Sequence, residues 1–180
     1  VTAKTWVLGL ILILISTDNA TASCNQENFQ TPLRDALSQH AEYYRNQDWV
    51  GVVSTMPPKI FSRMAKQSGF RVFELEEAVA QNLQRKLGSE RQRSIQYSYE
   101  LHLNEDSLVQ TETGRCYAAG NSVISYKSKV ETRPVIAIGE NHRWYFATIA
   151  KPESIEFIRS AYPDLPKLDL KEPTSVNREQ

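Results

Sequence analysis

The chain has 180 residues, of which 41% are hydrophobic and 23% charged. That balance suits one globular domain and excludes a disordered or fibrous polypeptide. Lys and Arg together number 21, and Asp and Glu together 21, so no net field draws the chain to phosphate backbones or anionic lipid, and nucleic acid is not an expected partner.

Lys4 precedes the apolar run Trp6–Ile15, about ten residues long, where a bilayer span needs about twenty. Polar Ser16–Asn19 and the small residues of Ala20-Thr21-Ala22 follow. A short apolar stretch after a cation, ending in small residues, reads as a cleaved signal peptide over residues 1–22. The mature chain is then expected to begin at Ser23, to be secreted or periplasmic, and to have no membrane span. Ala22-Ser23-Cys24 also matches the end of a lipobox, which would put a lipid anchor on Cys24. Thr21 stands where a lipobox usually has Leu, which favours simple secretion.

Cys24 and Cys116 are the only cysteines. In an oxidising compartment they are candidates for a disulfide, which by loop-closure entropy would add about 4 kcal/mol. The bridge requires a mobile leader that reaches Cys116 on an outward face or near a sheet edge, and it would then turn Arg115 awkwardly inward. The wide spacing supports neither a redox motif nor a zinc site.

Thr31-Pro32 is expected to open the first helix, with Thr31 as N-cap and Pro32 at its first position. Leu33, Ala36, Leu37, His40, Ala41 and Tyr44 then recur at helical spacing, to about Gln47. Asp48 caps a short helix holding Trp49, Val52 and Val53. Pro57-Pro58 stops it and starts another, with Ile60, Phe61, Met64 and Ala65 on one stripe and Gly69 at its end. Val72, Leu75, Val79, Leu83 and Leu87 line a further helix, closed by Gly88.

From about Arg93 the period becomes two. Ile95, Tyr97, Tyr99, Leu101 and Leu103 alternate with Gln96, Ser98, Glu100 and His102, a half-buried strand. A turn at Asn104–Ser107, a short strand at Leu108–Glu112 and a long strand from Arg115 to Val130 follow, with a bulge or bend at Gly120-Asn121. Pro134–Ile138 is a strand with Pro134 at its start or on an edge. Gly139–Asn141 is a hairpin turn, and His142–Ile149 pairs back, with Trp144 and Phe146 on one face. Pro152 opens a last helix that ends near Tyr162. The α+β domain therefore spans residues 23–162, and residues 163–180 form a Pro-containing extended tail, its first half pinned by Leu165, Leu168 and Leu170.

Helices followed by antiparallel strands make an α+β layout. Pro32–Trp49, Met56-Pro-Pro-Lys-Ile-Phe61 and Asn141-His-Arg-Trp-Tyr-Phe146 give the order of elements over about residues 30–150. In that order the chain resembles the nuclear-transport-factor-2-like superfamily, the cystatin-like α+β cone. The resemblance implies N-terminal helices packed in the concave face of a bent antiparallel sheet. It also implies one of two roles: an exported binding domain, or a cofactor-free isomerase or lyase with an acid-base group inside the cone.

For the catalytic role the candidates are His40 and Tyr44, which share the buried stripe of the first helix. The bland alternative is a core histidine with a packed tyrosine, and it carries more weight. Glu100 and His102 share a strand face opposite the core side and are expected to be solvated. The three histidines lack ligand spacing, so neither metal nor cofactor is expected. No Gly-x-Ser-x-Gly and no Gly-rich phosphate loop occur. The basic residues Arg85, Lys86, Arg91 and Arg93 suit a helix C-terminus for dipole reasons alone. The favoured expectation is a non-catalytic exported domain that binds a small apolar ligand or a protein partner at the cone mouth, with Tyr44, Trp49, Tyr97, Tyr99 and Trp144 as binding candidates.

Overall fold

The computed structural model describes residues 24, 27–88, 98–126 and 129–177. The signal segment 1–22, Ser23, and Arg91, Arg93, Ile95 and Tyr97 lie outside the described residues.

Helix α1 (Glu27–Asn46) is followed by α2 (Trp49–Ser54), α3 (Pro58–Ser68) and α4 (Val72–Leu83), which runs on into a π-helical turn at Gln84–Gly88. Two of the expected boundaries are realised by specific caps. The Asp48 carboxylate accepts a hydrogen bond from the Gly51 amide at 2.8 Å, satisfying an amide that has no partner within the helix. Gly69 ends α3 in the left-handed conformation, φ 77°, where a Cβ would be strained.

The start of α1 differs from the sequence reading. The helix begins at Glu27, and Pro32 lies inside it rather than at its first position. The chain ahead of Pro32 is held by tertiary structure. Cys24 is bonded to Cys116, with their Cα atoms 5.8 Å apart, and the Cys24 amide donates to Gln110 Oε1. That anchorage offsets the loss of one helical hydrogen bond at proline.

The strands are β1 (Ser98–Leu103), β2 (Val109–Gln110), β3 (Cys116–Ser125), β4 (Lys129–Glu140), β5 (Arg143–Thr148) and β6 (Thr174–Asn177), with α5 (Glu153–Ala161) between the last two. Together they form one antiparallel sheet in the order β1-β3-β4-β5. β2 shares the β3 edge with β1, and β6 shares the β4 edge with β5.

The strand expected from Arg115 to Val130 ends at Ser125, and the one expected at Pro134–Ile138 begins already at Lys129; between them the Tyr126 amide donates to the Lys129 carbonyl at 2.7 Å. The hairpin turn expected at Gly139–Asn141 sits two residues later. Asn141 and His142 both have positive φ, 53° and 61°, the backbone that a tight two-residue connection demands.

Pro134 sits within β4, not at its start. β6 pairs with residues 129–132 and β5 with 135–140 on the same side of the strand. The Pro134 carbonyl on that side accepts from the Ile149 amide; only the reciprocal bond to Ile149 is lost, and it falls at the end of the β5 ladder, at the fork between the two partners. In the tail, Leu165 is buried with Leu168 and Leu170 packed beside it, as the sequence suggested, whereas Thr174–Asn177 forms an edge strand that was not expected.

The sheet is strongly curled, and the N-terminal helices pack on its concave side. Gly120 shows how tight the curl is. It remains in continuous register with both β1 and β4, so there is no bulge. A methyl group at Gly120 would run into the His102 carbonyl and come within 2.9 Å of the Leu103 Cα. Gly120→Ala is therefore expected to cost about 2 kcal/mol by overpacking against backbone that cannot rotate away. Urea unfolding measures it, and an unchanged midpoint would mean the sheet opens freely at this point.

Three apolar clusters result. Leu33, Ala118, Val135, Ala137, Trp144 and Phe146 surround the bridge under α1. Tyr44, Trp49, Val52, Phe61, Tyr99 and Ile124 join α1–α4 to the far end of the sheet. On the opposite face, Tyr117, Ile136 and Ile138 pack against Ile158, Tyr162 and Leu165.

Cys116 is thus fully buried, facing α1, and not on an outward face. Arg115 points the other way without penalty, because its Nε donates to Glu140 at 3.0 Å and its Nη1 to Asp164 at 2.7 Å. Burial opposes ionisation of Asp164. Hydrogen bonds from Thr113, Tyr117, Arg115 and Thr111 outweigh it and hold the carboxyl well below its usual range.

Candidate functional site

Beyond the stripe of α1, the concave face is not filled. An open cavity of about 820 Å³ lies between α3, α4 with its π-helical turn, and the floor formed by β1, β3 and β4. Its walls are mainly apolar: Met56, Ile60, Phe61 and Met64 from the α3 side, Val79, Leu83 and Leu87 from the α4 side, and Ile124 from the floor. A volume of this order suits a small organic ligand.

Tyr44 and Tyr99 both line the cavity. Their rings stack at 3.8 Å with planes 4° apart. Burial pushes the Tyr44 hydroxyl up to about 12, against an opposing pull from Arg133, so it remains a neutral donor throughout the ordinary pH range.

His40 is one helical turn before Tyr44 but does not line this cavity. It is 2% exposed, enclosed by Tyr44, Tyr99 and Phe146. Its Nδ1 lies 2.5 Å from Thr55 Oγ1 and its Nε2 3.1 Å from the Tyr99 hydroxyl. The Thr55 hydroxyl donates to the Val52 carbonyl, so Nδ1–H donates to Thr55 and Nε2 accepts from Tyr99. Desolvation by burial lowers the His40 pKa to about 4. His40 therefore sits as a neutral crosslink between α1, α2 and β1, and Tyr44 alone of that pair lines the cavity.

The other candidates separate. Trp49 borders a second open pocket, of about 800 Å³, with Val50, Phe73 and Tyr145. Trp144 packs in the cluster around the Cys24–Cys116 bridge and does not line the first cavity. Tyr97 is outside the described residues. Glu100 and His102 are exposed and joined by a 3.1 Å contact, and His142 is exposed in its turn. Among the described residues no three His, Cys, Asp or Glu side chains are grouped to hold a metal, and no helix is long and apolar enough to cross a membrane.

The polar part of the cavity floor was missed in the sequence. Ser122, Glu131 and Arg133 line it. Glu131 is bonded by Lys129 and by Arg133, the latter at 2.5 Å. Burial opposes its charge, but these two cations outweigh it and lower its pKa. The available signal was parity: in Lys129, Glu131, Arg133, Val135 and Ala137, charged residues continue the line of two core positions. Arg85 and Lys86, assigned to a helix end, also reach the cavity.

No family model matches the chain, and neither a curated protein nor a solved structure matches it.

Proposed function

We propose that this is an exported, non-catalytic domain of the nuclear-transport-factor-2-like type that retains a small, mainly apolar ligand in the open cone. The cavity of about 820 Å³ with aliphatic and aromatic walls carries the reading. Apolar groups left facing a cleft rather than one another gain little until a ligand displaces the water between them. Retention rather than turnover is supported by His40, whose ring nitrogens are both committed to internal hydrogen bonds. Export is supported by the leader sequence and by a buried Cys24–Cys116 bridge, which persists in oxidising compartments.

Titration with a neutral solvatochromic dye such as Nile red tests the site. Saturable fluorescence enhancement is expected in the native protein. Val79, half-buried on the α4 wall, provides the control: Val79→Trp fills the cavity and should weaken dye binding tenfold or more, about 1.4 kcal/mol, while the domain stays folded. Binding indifferent to that variant would place the dye elsewhere and remove the basis of the reading.

A further inference from the structure

Charge is distributed unevenly in the cavity. Its lining holds three cations, Arg85, Lys86 and Arg133, against one carboxylate, Glu131. That carboxylate is shared, Oε1 with Lys129 and Oε2 with Arg133, and Arg133 gives it only one terminal nitrogen. The α3 and α4 walls give Met56, Ile60, Phe61, Met64, Val79, Leu83 and Leu87, while Ser122, Glu131 and Arg133 stand on the sheet beside Ile124 and Phe146. A ligand that matched only the apolar walls would leave unmatched those Arg133 donors that Glu131 does not engage, and polar groups covered without a partner are costly.

Resting on the ligand-binding reading above, we infer that the cavity takes an amphiphile with a carboxylate head, the head on Arg133 and the apolar body against α3 and α4. Arg133 spends one terminal nitrogen on Glu131. A guanidinium has five N–H donors in a planar fork, and the two-pronged geometry of a carboxylate fits the remaining edge. Glu131 is a positioning residue: it fixes the fork on the floor, and Lys129 on the same strand side supports it from behind. Ser122 is 1% exposed and its hydroxyl reaches the Arg133 carbonyl at 3.4 Å, which ties the backbone beneath the head group. Arg85 on the rim, with one bond to Asn82, adds attraction at the entrance without being part of the seat.

A matched series decides it: dodecanoate, dodecanol and dodecyltrimethylammonium, each below its aggregation threshold, with dissociation constants measured by calorimetry on the intact mature domain. Dodecanoate is expected to bind at least tenfold tighter than dodecanol and to weaken as salt is raised, and the ammonium compound to bind least. Arg133→Gln should remove that tenfold advantage and leave dodecanol unchanged. Arg85→Gln, at an exposed position, should slow dodecanoate association with a smaller effect on affinity, and it provides a folded comparison if the floor variant is unstable. Equal binding of dodecanoate and dodecanol, or an equal loss of both in Arg133→Gln, would overturn the carboxylate seat while leaving an apolar cavity in place. Tighter binding of dodecyl phosphate than of dodecanoate would overturn the choice of head group. Failure of all three series members to bind would overturn the ligand-binding reading itself, and the head-group assignment with it.

Discussion

Replacing both cysteines, Cys24→Ala with Cys116→Ala, is expected to cost the domain about 4 kcal/mol. The bridge spans 92 residues, and closing so long a loop in the unfolded chain removes much of that state's freedom. Packing adds to the effect. Cys24 and Cys116 are buried among Leu33, Trp144 and Phe146, so alanines would leave space under α1 that neighbours refill only in part. Urea unfolding of oxidised, reduced and doubly substituted protein separates the contributions. Reduction alone reports the cross-link, and the difference between reduced and substituted protein reports the lost sulfur packing. A loss below about 1 kcal/mol on reduction would mean that the unfolded chain is already compact around these residues. Thiol labelling of unfolded, unreduced protein should find none reactive.

The second large effect is loss of stability in mild acid, centred on His40. Its imidazole titrates near 6.5 in an unfolded chain and near 4 in the fold, through burial. Because the folded value is the lower one, the unfolded state takes up the proton first. Stability is fully present above pH 6.5 and declines as pH falls toward about 4, with no further loss from this group below that. The gap of about 2.5 pH units corresponds to about 3 kcal/mol. Protonation also places a donor on Nε2 against the Tyr99 hydroxyl, which must then reverse. The groups packed around the ring, Tyr44, Tyr99, Phe146 and Thr55, do not titrate in this window. His40→Gln should flatten the profile between pH 6.5 and 4, at some cost in stability at neutral pH. A native profile that is already flat there would overturn the assignment. The carboxylates act in a separate, lower window. Asp164 and Glu140 have depressed values in the fold, so their contribution is present above the ordinary carboxylate range and is lost only as pH falls below it.

The helices were the most legible part of the sequence, because each buries one face and so writes its period into the apolar positions. Leu33, Ala36, Leu37, His40 and Tyr44 gave α1, and Asp48 and Gly69 gave two boundaries by cap chemistry. Where the sequence reading missed, a distant partner had decided the local structure. Pro32 is tolerated inside α1 because Cys116, 84 residues beyond it, anchors the chain through Cys24. Pro134 is tolerated inside β4 because two different strands divide that edge between them. The reversal between Tyr126 and Lys129 contains no Gly, Pro, Asn or Asp, so nothing in its composition marked it.

The candidate site follows the same division. Tyr44 and Tyr99 were found because they stand on regular apolar stripes. Glu131 and Arg133 were not, because they fell between the two strands read as Arg115–Val130 and Pro134–Ile138, so no face was assigned to them, and Ser122 lay beside the bend expected at Gly120-Asn121. His40 was placed correctly on the buried stripe. Only the Thr55 and Tyr99 partners show that its nitrogens are already taken.

The fork at Pro134 has a consequence for self-association. Below the fork, the backbone groups of Lys129–Thr132 on that side are satisfied by β6 alone, a segment drawn from the far end of the chain whose own side chains all face solvent. If β6 peels away, four residues of unpaired strand are uncovered beside the cavity mouth, a template on which a second molecule can add its own strand. Pro134 limits that addition, because a proline cannot donate to a ladder that tries to propagate past it. The C-terminal strand therefore acts as a cover against edge-to-edge oligomers, and the proline as a stop where the cover ends.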